Sequence, residues 1–501
     1  MTAALPNGWS TACLGDLFDV LDHLRIPVNA AERSARRGDV PYFGATGQVG
    51  WIDSHLFNEE LVLLGEDGAP FLDSNKPKAY VVRGRSWVNN HAHVLRAHSS
   101  TPSSFWKYQL DTVAYSPFVS GTTRLKLSQG PMRRISLLVP PLEEQSRLAD
   151  ALDSYLTRLD DAVASLERAQ AKLKAYRASV LKAAVEGRLV PTEASLARAE
   201  KRDYEPAAAL LAGILKERRR RWEEAELAKF MAAGKTPKDD RWKAKYQEPP
   251  PPDTSTLPEL PEGWCWASVD QLGLVSGGLT QNVSRERHKL KLPFLRVANV
   301  YANSLVLDEI KVIGVEPAEI ERARLLAGDL LVVEGNGSVD QIGRVALWDG
   351  SVEPILHQNH LIKVRCEPRQ LSSWLLAWLL SPAGRAAIER VASSTSGLHT
   401  LSISKVGRLP VPLPPLGEQT RVSDEVDATL SVGDDVVGGV SRDLRRCARL
   451  RQSILKWAFE GRLVDQDPSD EPADKLLARI RAERITAAPA TNRGRTAKGA
   501  A

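Results

Sequence analysis

The chain repeats itself, and that single property limits what it can fold into more than any motif does. LPNGW at Leu5 to Trp9 returns as LPEGW at Leu260 to Trp264. PPLEEQSRL from Pro140 returns as PPLGEQTRV from Pro414, and SVLKAAVEGRLV from Ser179 returns as SILKWAFEGRLV from Ser453, both displaced by 274 residues. EPAAALLAGILKER from Glu205 returns as EPADKLLARIRAER from Glu471. Fainter echoes lie between: an apolar run ending in Gly (Leu61 to Gly68; Leu330 to Gly337), then NH-x4-R (Asn90 to Arg96; Asn359 to Arg365), both displaced by 269 residues. The markers keep one order, so a unit of roughly 250 residues is duplicated in tandem. A single small domain is excluded. At ~150 residues per domain, a chain of 501 residues suggests about three units, with two large ones also allowed.

The copies diverge unevenly. Between each GW marker and the following PPL, similarity is confined to short apolar or Gly-rich landmarks, whereas the stretch from PPL through EGRLV matches closely. A purely structural duplication would drift alike throughout. A common scaffold carrying two different readers would diverge in this pattern.

The closely matched stretch reads as a long helix. In the first copy Leu152, Leu159, Leu166, Leu173 and Val180 recur every seven residues, with Leu156 and Val163 interleaved before Gln170 and Arg177 turn polar. The second copy places Val426, Gly433, Val440, Cys447 and Ile454 at the seven-residue positions, with Leu430, Val437, Leu444 and Arg451 between them. This is an a/d seam, bounded by Pro before and Gly after. A helix of 45 residues is about 65 Å long and needs an apolar partner. The other copy supplies one. A pseudo-twofold relation would make the two helices antiparallel, with Gly433, Gly438 and Gly439 allowing close backbone approach.

The variable regions read as mixed α/β. VPYFGATGQVGWI, ELVLLGEDG, AYVVRG, PFLRVANV, DLLVVEGNG and RVALW are short β-rich runs punctuated by Gly, and SSWLLAWLLSPAGRAAIERV has helical spacing. Lys201 to Ser255, with RRRRW at Arg218 to Trp222 and PPPP at Pro249 to Pro252, reads as a charged helical extension and a stiff linker. The closing TNRGRTAKGAA has the composition of a disordered basic tail.

Composition and missing motifs narrow the chemistry. Four scattered cysteines encode neither a disulfide framework nor a CxxC knuckle, and fit a reducing cytosol. No basic segment followed by an apolar core opens the chain, and the longest apolar stretch, Trp374 to Leu380, is far below a membrane span. A cytoplasmic protein with no membrane association is expected. The net charge of +5 permits a polyanionic partner without demanding one. There is no GxxxxGK[ST] phosphate loop, no HExxH, and no Asn or Asp followed by Pro-Pro and an aromatic, the element amino-methyltransferases use to hold a flipped base. Gly335-Asn-Gly337 reads as a turn after a buried strand rather than a dinucleotide fingerprint. His91 and His93 have no third ligand type nearby in sequence, and Glu66 and Asp67 read as an acidic Gly-turn rather than a nuclease site. No catalytic residue and no metal ligand is assigned.

The order LPxGW, variable region, PPLxEQxRL, long helix, EGRLV, then all of it again, resembles the specificity (S) subunit of type I restriction-modification enzymes, over nearly the whole chain. The resemblance implies two target recognition domains, each reading half of a bipartite site in double-stranded DNA. It implies an α+β architecture in which two long antiparallel helices form an intramolecular coiled coil with a pseudo-twofold repeat. The domains would be 1–141 (first target recognition domain), 142–187 (first helix), 188–257 (extension and linker), 258–415 (second target recognition domain), 416–461 (second helix) and 462–501 (C-terminal helical segment and tail). Two modification (methyltransferase) subunits, and restriction subunits with motor and endonuclease activity, would be the protein partners. S-adenosylmethionine, ATP and Mg would sit on those partners and none in this chain, which would be non-catalytic. The alternatives are a self-contained methyltransferase or restriction enzyme, which the missing motifs oppose, and a coiled-coil adaptor without DNA binding.

The resemblance transfers no base-reading residues, so physics selects candidates. Arg or Lys reads guanine, Asn or Gln reads adenine, and Lys, Arg and backbone amides hold phosphates. Loops between the short strands are the available surfaces. In the first half these offer Arg83, Arg85, Asn89, Thr123, Arg124 and Lys126; in the second, Arg285, Arg287, Lys289, Lys291, Asn336, Gln341 and His399.

Overall fold

The computed structural model describes residues 5–338, 341–395 and 398–487. The chain divides into two compact units: residues 1–169 together with 439–501, and residues 170–438. Each mixes helix and sheet, and the two are built on one plan.

In the first unit, Phe18–Val20, Ala92–Ala97, Leu61–Gly65 and Ala79–Val82 lie side by side in that order, antiparallel throughout. Val62 and Leu64 face the main core while Leu61 and Leu63 face a second cluster with Phe57 and Val88. Burial on both faces is why this strand reads as a continuous apolar run instead of alternating. A second sheet holds Gly47–Ile52, Val40–Gly44, Arg85–Val88 and Phe57–Asn58 in that order; Val40–Gly44 pairs antiparallel with the first and parallel with the third.

The second unit repeats the scheme. Gly273–Gly277, Leu361–Cys366, Leu330–Val333 and Val345–Leu347 form the antiparallel sheet, with Leu330 and Val332 in one cluster and Leu331 and Val333 in another. Its smaller sheet runs Lys311–Gly314, Lys291–Leu295, Leu356–His357, antiparallel and then parallel. The SSWLLAWLLSPAGRAAIERV run resolves into two helices, Leu371–Leu380 and Pro382–Val391. Ser381 ends one and caps the next, its Oγ accepting from Gly384 N at 3.1 Å.

Both long helices, Leu142–Val185 and Leu416–Phe459, have 44 residues. Each starts after a Pro pair. Gln145 and Gln419 turn back to donate to the Pro140 and Pro414 carbonyls at 2.9 and 2.7 Å. Each ends at a glycine with positive φ, Gly187 or Gly461, where the next amide closes on the carbonyl of Ala183 or Trp457 at 2.8 Å. In the first unit Leu148, Leu152, Leu156 and Leu159, from the start of one helix, share a core with Ile454, Leu455 and Ala458 from the end of the other. In the second unit Val180, Leu181, Ala184 and Val185 share a core with Val422, Val426 and Leu430. Start therefore meets end twice. Val440 is also buried, while Val163, Leu166, Leu173, Val437 and Leu444 are half-buried. One expectation fails: a Cβ built on Gly433 meets nothing within 4 Å, so no close backbone approach requires glycine there.

The segments after each long helix exchange roles, which the linear order of domains conceals. After the second helix, Ala473, Leu476, Leu477 and Ile480 of the helix Ala473–Ala487 are buried in the first unit's core, and Ala473 N donates to Gly8 O at 2.9 Å. After the first helix, Ala207 and Ile214 of the helix Ala207–Ala232 enter the second unit's core, and Ala207 N donates to Gly263 O at 2.8 Å. The tail of each sequence copy thus completes the globular unit begun by the other copy. Residues 462–487 are accordingly part of the first unit rather than an appended segment. The extension is docked as well: Pro249 is buried and Pro250 O accepts from Ser268 Oγ at 2.8 Å, so the proline run is no free linker. The tail TNRGRTAKGAA lies outside the described residues. Among the described residues, no helix is long and apolar enough to cross a membrane.

Candidate nucleic-acid interface

The sequence candidates fall into three structural classes. Some are consumed by the fold. Asn89 is buried, its amide donating to Phe43 O at 3.0 Å and its side chain accepting from His91 N at 2.8 Å; it holds a turn and presents nothing to a base. Arg285 is similarly spent. Its guanidinium forks onto Glu319 at 2.9 and 2.8 Å and donates to Thr280 O at 2.7 Å and Gly314 O at 3.1 Å. That fork, with the Glu316 backbone amide, holds the Glu319 carboxyl down at about 2. The surface reading of Asn89 and Arg285 is therefore corrected: satisfied polar groups in the fold are not available to DNA.

A second class is exposed but already paired. Arg83 meets Glu60 at 2.7 Å and Arg85 meets Asp39 at 2.9 Å. Arg124 meets Asp67 at 2.8 Å and Lys126 meets Glu66 at 3.1 Å. Thr123 is exposed beside them. Surface pairs of this kind contribute ~0–1 kcal/mol, so a phosphate can replace the carboxylate at little cost. The third class is unpaired. Arg287, Lys289 and Lys291 are exposed and have no carboxylate partner among the described residues. Three cations without carboxylate partners within five residues make this an anion-attracting segment.

Asn336 and His399, far apart in sequence, become partners across the strands Gly335–Asn336 and Leu398–Thr400. Asn336 Oδ1 accepts from Ser338 N at 3.0 Å, and Gln341 accepts from Arg344 at 3.4 Å. Arg344 lies 5.0 Å over the ring of half-exposed Tyr301.

The arginine run is largely satisfied by its own helix and its unit. Arg218 donates to the carbonyls of Asp270 and Gly273, Arg220 pairs with Glu217 and Glu224, and Arg221 with Glu217 and Glu367. Trp222 stacks on Trp242 at 6.1 Å and lies 5.3 Å from Tyr246. Charge alone made this run conspicuous; alternation of Arg and Glu at helical spacing explains it.

Sequence reasoning missed the surroundings of His93. The fold brings Asp22 and Glu66 to it, with ligand-type atoms of all three within 4.8 Å of one another. Those positions are not open. His93 Nδ1 meets Asp22 Oδ2 at 2.6 Å, Nε2 donates to Leu127 O at 2.8 Å, and Arg25 lies 2.7 Å from Glu66 and 3.5 Å from Asp22. Burial works against the Asp22 charge, but the His93 hydrogen bond and charge and the Val94 amide outweigh it and hold the carboxyl below its ordinary range. With both ring nitrogens engaged and a guanidinium already between the carboxylates, the cluster is a buried ion network rather than a vacant metal centre. Asp22 lies 71 residues from His93, so no local spacing announced it.

Comparison with known proteins points one way. A family model described as "Type I restriction modification DNA specificity domain" matches residues 6–169. The chain is similar to the type I restriction enzyme EcoKI specificity subunit of Escherichia coli (strain K12), 26% identical over 398 residues, covering 77% of this chain and 70% of that one. It is similar to the EcoDI specificity subunit of Escherichia coli, 23% identical over 488 residues and covering 96% of each. A chain solved in work on complex assembly and conformational transition of the type I R-M system superposes with a TM-score of 0.53 at 14% identity, covering 92% of this chain and 99% of that one.

Proposed function

The chain belongs, through residues 6–169, to the type I restriction modification DNA specificity family, and from that premise we propose that it is the non-catalytic DNA-recognition subunit of a type I restriction-modification enzyme. Each compact unit carries one target recognition domain, 1–141 in the first and 258–415 in the second, and together these read a bipartite site in double-stranded DNA. The carrying observation is one architectural plan furnished twice with different charge. The first unit displays exchangeable Arg83, Arg85, Arg124 and Lys126 pairs, and the second displays unpaired Arg287, Lys289 and Lys291. Cations of this kind hold phosphates and set register, leaving neutral side chains to choose bases.

The two long helices act as an antiparallel coiled coil that spaces the readers. At 44 residues each is about 66 Å long, which limits the separation of the readers to roughly 20 base pairs; tilt and overlap shorten this to half-sites about one helical turn apart on one side of the duplex. Two modification subunits, carrying S-adenosylmethionine, and restriction subunits using ATP and Mg, dock on this chain and perform the chemistry it lacks. The test is selection from a randomised duplex library by the full chain assembled with its modification subunits. Two short specified blocks at a fixed separation support the reading. Absence of any salt-dependent retention of duplex would leave the coiled adaptor as the better description.

A further inference from the structure

The sheet that mixes antiparallel and parallel pairs in each unit ends in a strand with an exposed apolar side chain. In the first unit the outermost strand is Gly47–Ile52, GQVGWI, which carries no charge and exposes Val49 at 51% and Trp51 at 55%. Exposed apolar edge strands invite pairing with other chains, and proteins ordinarily blunt them with Lys, Pro or a covering element. This edge also carries a bulge. Tyr42 pairs with Gly50 and Phe43 with Gln48, leaving Val49 without a partner, a distortion that re-aims side chains and is enriched beside functional sites.

The second unit exposes an apolar residue at the corresponding place, on an edge that Lys311 and the Val283–Arg287 turn partly blunt. Its outermost strand, Lys311–Gly314, exposes Val312 at 63%. Trp51 is opposite Pro41, and Val312 is opposite Pro293, so the two exposed side chains occupy equivalent register positions. Cations flank both edges. In the first unit Arg33 Nε lies 3.2 Å from where a Cβ on Gly50 would stand, and Arg37 is exposed; neither has a carboxylate partner among the described residues. In the second, a Cβ on Gly314 would strike the Arg285 carbonyl, so the Val283–Arg287 turn lies against this edge and leads directly into Lys289 and Lys291.

We infer that this outer edge is the base-reading element of each unit, entering the major groove with Trp51 and Val49 in the first unit and Val312 in the second set against thymine methyl groups. The inference rests on the DNA-recognition reading above and adds which surface performs it. A two-stranded ribbon fits the major groove, and apolar side chains distinguish thymine there by its methyl. Gln48, exposed on the same strand, is of the type that pairs with adenine. The flanking arginines and lysines supply the phosphate contacts that position such a ribbon. A duplex is favoured over a protein partner because each apolar edge is bordered by uncompensated positive charge.

The test uses the full chain assembled with its modification subunits and a randomised duplex library. W51A should lose roughly fourfold discrimination per thymine methyl at A·T positions of one block while the other block is unchanged. V312A should do the reverse. Neither should alter the salt dependence of binding, because an apolar contact releases no counterions, whereas R33Q with R37Q should lower its slope by about 2. The side chains are exposed, so thermal unfolding should stay at the wild-type value. The inference is overturned if W51A keeps the wild-type preference, if both blocks degrade together, or if the variant sheds the modification subunit while keeping its DNA preference. A wild-type assembly without any preference would sink the functional reading itself.

Discussion

Leu476→Ala tests the exchange of segments between the copies. Leu476 is 1% exposed in the first unit's core, beside Leu477, Ile480 and Ala473. Truncation there removes buried methyl groups and leaves a cavity that a helix anchored at Ala473 to Gly8 cannot easily close. Comparable Leu→Ala changes cost about 3–5 kcal/mol. At ~1.4 kcal/mol per decade, opening of the first unit should become roughly 100- to several-thousand-fold more frequent. Amide hydrogen exchange on the full chain reads this directly. Peptides from Leu61–Gly65 and Ala92–Ala97 should lose protection by that factor, while Leu330–Val333 should keep its own. A loss below about 0.5 kcal/mol would be no more than a surface substitution gives, and would show that the C-terminal helix is not part of this core. Loss confined to Leu330–Val333 would refute the exchange outright.

Further outcomes follow from the second unit. Arg285→Gln breaks a nearly buried fork and should destabilise by about 3 kcal/mol without changing the salt slope of DNA binding; Lys289→Gln or Lys291→Gln should lower that slope by about 0.9 each and leave stability unchanged. His357 is held near 4, by burial first and by the Lys363 charge second, so the unfolded chain gains a proton between pH 6.5 and 4 that the folded chain refuses. Stability should fall by up to ~3 kcal/mol across that window, and the fall should vanish in His357→Gln. Lys363, held near 8 chiefly by burial, acts in the same sense at higher pH: above pH 8 the folded chain releases its proton first, so stability rises toward pH 10.5. Denaturant titrations comparing wild type with Lys363→Met should show that rise only in the wild type.

The repeat markers were the most legible part of the sequence because their geometry is local. A Pro pair, a Gln three residues past the Leu that follows it, and a terminal Gly each act locally, and both copies retain them. The buried strands were legible as apolar runs. The exchange of tail helices was not, since Ala207 and Ala473 bond to glycines by contacts that local periodicity does not encode. Candidate readers were chosen by residue type, and type does not report pairing: Arg285 and Arg287 look alike in sequence, yet one is locked on Glu319 and the other is unpaired among the described residues. The exposed edges were hidden for another reason. Trp51 and Val312 look like core residues until the order of strands shows that nothing in the sheet lies beyond them.

The most direct measurement is the base preference of the intact assembly, obtained by mapping modified adenines across a genome with and without this chain. Two short specified blocks, separated by an unread gap of constant length and lost when the chain is absent, are the predicted result. A single uninterrupted block, or modification that persists unchanged without the chain, would contradict it.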